Sequence, residues 1–192
     1  MIHVYVEEAW DKHIAELNDQ LPVVFLGNEL IQSPIIGPTP DELVWLRKTL
    51  LSLPAVEKVL DFGQGIGLMV GLFEGFDYTG ADLTPAMIEE AQKRNPQHRF
   101  VRADGSKLLD TFSPGQFDLI FTRAVIQHNP EPTKSEIIQG FYNILRPGGY
   151  YLFHEHAFIW PAGKEEHVEY MKQRGFILKD YKAEFSYLFQ KA

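Results

Sequence analysis

The sequence contains no cysteine, which excludes disulfide bonds, thiolate metal sites and cysteine nucleophiles. It also lacks an apolar run of the roughly 20 residues that a membrane-spanning helix requires, since stretches such as Leu21–Leu26 are far shorter. The first eight residues contain no basic segment followed by an apolar one, so we expect no secretory signal peptide. These absences predict a cytoplasmic protein without a membrane partner.

Clusters of lysine and arginine are also absent, and the net charge is −8. Nucleic-acid-binding proteins neutralise phosphates with clustered cations, so we expect no nucleic-acid partner. A chain of 192 residues, 45% of them hydrophobic, is long enough for a single domain with a full core. We expect a monomer or a homodimer.

The chain, which we expect to form one structural domain, divides into two regions that differ in how regularly predicted strands and helices alternate. Residues 1–38 lack regular alternation of strands and helices, although Trp10, Ile14 and Leu17 have the spacing of a helix over about residues 7–20. Residues 39–192 alternate regularly. We therefore predict an N-terminal helical segment, 1–38, followed by the main domain, 39–192.

Two capping-box patterns predict helix starts in the main domain. Thr39–Glu42 begins a helix that we expect to bury Leu43, Leu46, Leu50 and Leu53. Thr133–Glu136 begins a second helix, which ends at Arg146–Gly149. Its apolar stripe consists of Ile137, Ile138, Phe141, Ile144 and Leu145.

Short apolar segments that alternate with helical ones predict a mainly parallel sheet with helices on both faces, an α/β fold. Two further helices are expected after Thr84-Pro85 and over 162–173. The predicted strands are Val59–Asp61, Tyr78–Asp82, Arg99–Ala103, Phe117–Thr122, Tyr150–Phe153, Phe176–Leu178 and Glu184–Gln190.

A glycine-rich turn follows the first strand of this series, in the sequence Asp61-Phe62-Gly63-Gln64-Gly65-Ile66-Gly67. Glycine is required where the backbone takes a positive φ or where a ligand approaches it closely. Folds that bind adenine nucleotides use such a turn at the carboxyl end of their first strand. A tight turn without a ligand would give the same short pattern.

Acidic residues end the next two strands as well. Asp82 follows Asp61 by 21 residues, the approximate spacing at which an acid binds ribose hydroxyls in folds of this kind, and Asp104 follows the third strand. Because parallel strands direct their carboxyl ends to one edge of the sheet, we expect the three acids to converge there. Asp82 could also act as a favourable charge near a helix N-terminus.

Residues 59–156 resemble the class I S-adenosylmethionine-dependent methyltransferases. The family's motifs are matched in order by Val59–Gly67, Gly80–Met87, Ala103–Asp104, Phe117–Ile120 and Leu145–Gly149. The resemblance implies a seven-stranded sheet in the order 3-2-1-4-5-7-6 with the last strand antiparallel. It also implies that S-adenosylmethionine is the cofactor, that Asp82 holds its ribose and that Asp104 binds its adenine amino group.

The resulting set of candidate cofactor-binding residues spans the glycine turn, the strand ends and an N-terminal segment that closes over the cofactor. NAD is the alternative, but its fingerprint places the third glycine three residues after the second, where this chain has Leu68. Asp61 before the first glycine also suits an ammonium group better than a pyrophosphate. The candidates are Asp61, Gly63, Gly65, Gly67, Asp82, Leu83, Asp104, Gly105, Arg123, His128, Tyr5 and Trp10.

Histidines after the fourth and fifth strands are the candidate catalytic residues, namely His128, His154 and His156. Imidazole titrates near neutrality, which suits a base that removes a proton from the methyl acceptor. His128 could instead only position its loop, and the three together could hold a metal ion, although we predict none. His154 and His156 share a strand face, with Glu155 directed away from it. His3, His13, His98 and His167 are expected at the surface.

The sequence therefore predicts methyl transfer to an oxygen or nitrogen of a small-molecule acceptor. In the family an N-terminal helix such as that of residues 1–38 acts as a lid, for which Tyr5, Trp10 and His13 are candidates, and Trp10 could equally be ordinary core. A non-catalytic S-adenosylmethionine-binding module is one alternative function. A protein or RNA methyltransferase is another, which the acidic charge and the lack of a further domain disfavour.

Overall fold

The computed structural model describes residues 23–26, 29–32, 40–155, 164–182 and 186–192. Within these ranges the helices are α1 Pro40–Ser52, α2 Pro85–Arg94, α3 Thr133–Ile144 and α4 Lys164–Gln173. The strands are β1 Val23–Leu26, β2 Glu29–Gln32, β3 Lys58–Phe62, β4 Asp77–Asp82, β5 Arg99–Arg102, β6 Phe117–Arg123, β7 Leu145–His154, β8 Phe176–Lys182 and β9 Ser186–Lys191.

Seven of these strands form one sheet in the order β5-β4-β3-β6-β7-β9-β8. Strands β3 to β7 pair in parallel, whereas β9 runs antiparallel to both β7 and β8. Numbered from β3, this is the order 3-2-1-4-5-7-6 with the last strand antiparallel. The predicted fold is confirmed.

A separate two-stranded hairpin, formed by β1 and β2, was not predicted. Its register pairs Leu26 with Glu29, so two residues, Gly27 and Asn28, separate the strands. A two-residue Gly-Asn connection between short apolar segments is a hairpin signal, and it was available in the sequence.

Alternate residues of the central strands pack into two hydrophobic clusters. Leu60 and Ile120 belong to the cluster that includes Phe141 of α3, whereas Val59 and Leu119 belong to the one that includes Leu46 of α1. Because side chains alternate across a strand, the two clusters lie on opposite faces of the sheet. This double burial explains why the strands read as nearly continuous apolar runs.

Three local expectations prove wrong. Leu43 shares the stripe of the buried Leu46 and Leu50 but lies in the first turn of α1, at the end of that stripe, and is 37% exposed. The Thr133 capping box does not form, since Pro132 occupies the N-cap position and Thr133 is already helical. The Glu131 carboxylate instead accepts hydrogen bonds from the amide and hydroxyl of Ser135, at 3.3 and 2.6 Å.

His167 is the third, because it is buried in the core and not at the surface. It lies on α4, which packs its ring between aromatic residues of β7 and β9. The ring centroids of Phe153 and Tyr187 are 4.9 and 5.1 Å from that of His167.

In the part of the chain that the structure describes, every helix is too short or too polar to cross a membrane.

Candidate functional site

A cleft of about 240 Å³ opens where the parallel strands end. It is bounded by the turns after β3, β4, β5 and β6 and by the first turns of α2 and α3, so residues from distant parts of the sequence meet there. Its lining residues are Phe62, Gly63, Gly65, Asp82, Leu83, Met87, Asp104, Gly105, Ser106, Arg123, Ala124, Val125, His128, Asn129, Thr133 and Ile137.

The glycine turn after β3 forms the floor of the cleft. Gly63 has φ +72°, and a Cβ atom there would lie 2.4 Å from Cγ2 of Val125, so only glycine lets the turn pack against the loop after β6. Gly65 has φ +56°, and among the described residues the one atom within 4 Å of a Cβ placed there is Sδ of Met87 at 3.9 Å. The backbone at Gly65 is therefore open to close approach by a ligand.

Asp82 at the end of β4 lies between the glycine turn and α2. Its Oδ2 accepts a hydrogen bond from the Gly65 amide at 3.1 Å, and its Oδ1 accepts one from the Thr84 amide at 3.0 Å. Burial raises the pKa of this carboxyl group, and the backbone hydrogen bonds oppose that effect. The Thr84 hydroxyl and the Leu83 amide also donate to this carboxylate, which lines the cleft and is therefore within reach of a ligand's hydroxyl groups.

Asp104 follows β5 and caps the 3-10 helix Gly105–Asp110. Its Oδ1 accepts hydrogen bonds from the amide and hydroxyl of Ser106 at 2.9 and 2.7 Å. Its Oδ2 lies 3.9 Å from Nζ of Lys107, and the side chain remains 44% exposed. The carboxylate is thus held in one orientation while it stays accessible from the cleft.

Gly105 packs closely against two apolar residues that line the cleft. A Cβ atom at this position would lie 2.7 Å from Cγ1 of Ile137 and 2.9 Å from Cζ of Phe62. With Leu83 and Met87, these side chains provide an apolar wall beside Asp82 and Asp104. A flat aromatic base with a polar edge fits such a surface.

The loop after β6 closes the opposite side of the cleft and carries His128. Ala124, its first residue, has φ +54°, a conformation that residues other than glycine adopt rarely. Val125, His128 and Asn129 also line the cleft. Nε2 of His128 is 3.1 Å from Nε2 of Gln127.

Glu155 lies beneath this loop and was missed by the sequence reasoning. Its carboxylate, 1% exposed, accepts hydrogen bonds from the amides of Val125, Ile126 and Gln127 at 3.3, 3.3 and 3.2 Å. Burial raises its pKa to about 7. The signal that could have found it is its position at the carboxyl end of a strand, near which Asp82 and Asp104 also lie.

Three of the predicted site residues do not line the cleft. The Asp61 carboxylate is buried against β4, where it accepts a hydrogen bond from the Tyr78 hydroxyl at 3.0 Å, and burial raises its pKa to about 7. Gly67, with φ +77°, packs against Asn95. Nδ1 of His154 lies 2.6 Å from Oγ of Ser186 on the neighbouring strand β9.

Eight of the predicted residues meet at the cleft, namely Gly63, Gly65, Asp82, Leu83, Asp104, Gly105, Arg123 and His128. Tyr5, Trp10, His13 and His156 lie outside the described residues, as does the N-terminal segment up to Pro22. Within the described ranges, no three histidine or acidic side chains are grouped to hold a metal ion.

The donor and acceptor groups of the cleft fit S-adenosylmethionine. Asp82 offers acceptors for two ribose hydroxyls, Asp104 offers one for an amino group, and the apolar wall between them matches an adenine ring. The backbone at Gly65, which carries no Cβ, leaves room for the remainder of the molecule.

A methyltransferase domain family matches residues 60–153. Phosphoethanolamine N-methyltransferase 1 of Triticum aestivum is 35% identical over 141 residues, which are 69% of this chain and 27% of the relative. Trans-aconitate 2-methyltransferase of Methylobacterium radiotolerans is 32% identical over 101 residues, 50% of this chain and 37% of the relative. The chain thus spans only about a quarter to a third of these curated relatives.

Solved structures share the fold. A TehB-like SAM-dependent methyltransferase from Corynebacterium glutamicum has a TM-score of 0.63 at 23% identity, covering 78% of this chain and 87% of that one. The YcgJ protein from Bacillus subtilis has a TM-score of 0.63 at 19% identity, covering 73% and 70%. With the motifs, the sheet order and the cleft, these likenesses agree on one family. Residues 60–153 are a methyltransferase domain, in the class I fold of S-adenosylmethionine-dependent methyltransferases.

Proposed function

We propose that this protein transfers the methyl group of S-adenosylmethionine to an oxygen or nitrogen of a small-molecule acceptor. The observation that carries the proposal is the arrangement of Asp82 and Asp104 beside the apolar wall of a cleft whose floor is the Gly63–Gly65 turn. Bound S-adenosylmethionine supplies an activated methyl group on a sulfonium, so the protein needs only to align the acceptor and remove a proton where one is present.

The chain's own residues divide between holding the cofactor and preparing the acceptor. Asp82 binds the ribose hydroxyls, Asp104 binds the adenine amino group, and Leu83 packs against the adenine ring. Gly65 leaves open the space that a side chain would fill, whereas Gly63 and Gly105 let neighbouring side chains pack closely against the backbone. Arg123 lies at the end of β6, on the same side of the cleft as the loop that carries His128.

His128 is the residue we assign to the acceptor proton. It lines the cleft, is half-buried and is carried by the loop after β6, opposite Asp82 and Asp104. Imidazole has an ordinary pKa near neutrality, so its neutral form is available to accept a proton from the acceptor. His154, which lies outside the cleft lining, is left with a structural role in pairing β7 with β9.

The size of the acceptor is inferred from the cleft and supported by the relatives. We expect this cleft, once it holds the cofactor, to leave room for a small acceptor and not for a polymer. The wheat and Methylobacterium relatives are named for small molecules, phosphoethanolamine and trans-aconitate. The net charge of −8 argues against nucleic acid as a partner. We further propose that residues 1–38 complete the acceptor pocket and that the protein works in the cytoplasm as a monomer or homodimer.

Methyl transfer tests the proposal. The protein is incubated with S-adenosylmethionine labelled on the methyl group and with three acceptor pools: small metabolites, total RNA and protein. We expect label in a small product, dependent on Asp82 but not on Asp77, an exposed acid at the start of the same strand. Cofactor binding without any methyl transfer would indicate a non-catalytic binding module and contradict the proposal. Label in RNA or protein alone would overturn the small-molecule assignment.

A further inference from the structure

We propose that Glu155 is a positioning residue that holds the loop of residues 124–129, and with it His128, against the glycine turn of the cleft. The inference rests on the proposed function for its importance in catalysis. Its structural part stands independently, because it concerns hydrogen bonds between a carboxylate and a loop.

The sheet brings Glu155 to the start of this loop. Arg123 and His154 are partners in the parallel register of β6 and β7, and the Ala124 amide donates a hydrogen bond to the His154 carbonyl at 2.8 Å. The residues that follow on the two strands are therefore neighbours. Glu155 leaves β7 at the level where the loop leaves β6.

Three consecutive amides of the loop converge on the Glu155 carboxylate. Val125 and Ile126 donate to Oε1 at 3.3 Å each, and Gln127 donates to Oε2 at 3.2 Å. These amides begin the short 3-10 helix Ile126–His128, whose own N-cap residue provides no side-chain hydrogen bond. Successive amides of this kind form an anion-binding concavity, and here an internal carboxylate fills it.

Burial of an ionisable side chain at this position costs free energy of folding. A carboxylate removed from water destabilises the fold unless hydrogen bonds compensate it. Only a carboxylate offers acceptors on both of its terminal atoms, since one end of an amide side chain is a donor. Glu155 is 1% exposed, so its two oxygens are directed entirely to the protein.

The loop of residues 124–129 contacts the glycine turn, which forms the floor of the cleft. A Cβ on Gly63 would lie 2.4 Å from Cγ2 of Val125. This short distance shows that the loop packs tightly against the glycine turn. Ala124 also has φ +54°, which is unfavourable unless neighbouring contacts maintain it. Release of the amides from Glu155 is therefore expected to loosen both His128 and the turn that receives the cofactor.

The protonation state of Glu155 determines how strongly its carboxyl group binds the three loop amides. Among the described residues, the Arg123 guanidinium from β6 favours the carboxylate, and the buried hydroxyl of Tyr151 on β7 is close enough for the carboxylate to help raise its pKa. Burial raises the pKa of Glu155 to about 7. Amide donors bind the charged form more strongly, so the loop is held more firmly as the pH rises through 7.

Amide hydrogen exchange tests the hold directly. The amides of residues 125–127 are compared in the wild type, in Glu155→Gln and in Ile144→Val, a core control in α3 at a residue that is 0% exposed. We expect at least tenfold faster exchange at these amides in Glu155→Gln and wild-type exchange in the control. In the wild type and in Ile144→Val, but not in Glu155→Gln, protection corrected for intrinsic exchange rises between pH 6 and pH 8. Equal protection in all three proteins, or no such rise, overturns the proposal.

Calorimetry with S-adenosylmethionine separates this inference from the proposed function. We expect Glu155→Gln to bind it at least fivefold more weakly than the wild type at pH 8, and Ile144→Val to bind it within twofold. Wild-type affinity in Glu155→Gln contradicts the coupling of the loop to the cofactor side. Absence of binding by the wild type contradicts the proposed function instead, and the exchange experiment still decides whether Glu155 holds the loop.

Discussion

The Oδ2 atom of Asp82 accepts a hydrogen bond from the Gly65 amide at 3.1 Å. This bond joins the end of β4 to the glycine turn after β3, two segments that the sequence separates by 17 residues. The turn is also bonded to the strand through the Gly63 amide and the Ala81 carbonyl at 2.7 Å. The two cofactor motifs therefore form one structural unit.

We expect Asp82→Ala to weaken S-adenosylmethionine binding at least tenfold, a loss of about 1.4 kcal/mol. The substitution removes the acceptor for the ribose hydroxyls and leaves the Gly65 and Thr84 amides without theirs. Calorimetric titration measures the effect, with Asp77→Ala as a control on the same strand at an exposed position. Unchanged affinity would remove Asp82 from the cofactor site.

Alanine substitutions at three glycines distinguish two causes of lost stability: the unfavourable positive φ of a non-glycine residue and the overlap of its Cβ with a neighbour. Gly71 has open space and an ordinary φ, Gly75 has open space with φ +91°, and Gly63 combines φ +72° with the overlap on Val125. We expect Gly71→Ala to be nearly neutral, Gly75→Ala to cost about 1–2 kcal/mol, and Gly63→Ala to cost roughly a further 1–3 kcal/mol.

Urea unfolding gives the free energies for this series. If Gly63→Ala is no more destabilising than Gly75→Ala, the loop after β6 does not pack against the glycine turn in solution as described.

His167 makes the stability of the fold decrease in mild acid. Burial lowers the pKa of its ring from 6.5 to about 3, and Lys134 contributes in the same direction. Between these values the unfolded chain binds a proton that the folded protein excludes, so stability falls as the pH drops below 6.5. At pH 5.5 the loss is about 1.4 kcal/mol relative to neutral pH.

We expect His167→Phe, which keeps the aromatic contacts with Phe153 and Tyr187, to remove this component. Denaturant unfolding of both proteins at pH 7.5 and 5.5 isolates it, because Asp61 and Glu155 titrate equally in the two. Identical pH dependence would indicate that the ring is accessible to protons in the folded state.

His128 and His154 are expected to differ in their effect on transfer. Because His128 lines the cleft and His154 does not, His128→Asn should slow methyl transfer by about 10²-fold or more, with cofactor affinity within threefold of the wild type. His154→Asn should leave transfer within about threefold. If both variants transfer at the wild-type rate, catalysis depends on alignment alone.

The regular part of the fold could be predicted from local patterns and family motifs. Buried strands such as Phe117–Arg123 read as apolar runs, and the order of the sheet followed once the motifs had identified the family. Strand-end acids were also readable, since parallel strands bring Asp82 and Asp104 to one edge. Their contacts with Gly65 and Ser106 could not be derived, because hydrogen bonds depend on loop conformations that spacing does not specify.

Polar residues with long-range partners were harder to interpret. His167 was assigned to the surface by its residue type, although it shares the spacing of Val168 and Met171 on one stripe of α4. Asp61 was assigned to the cofactor by its place in the motif, yet its partner is Tyr78 on β4. Glu155 was read only as facing away from two histidines. In each case burial is determined by packing between elements, which a single sequence does not display.

The most direct test of the account is calorimetric titration of the wild-type protein with S-adenosylmethionine and, separately, with NAD. The cleft described here predicts saturable binding of S-adenosylmethionine at one site per chain and no measurable binding of NAD. Selective binding of NAD, or no binding of S-adenosylmethionine, would contradict it.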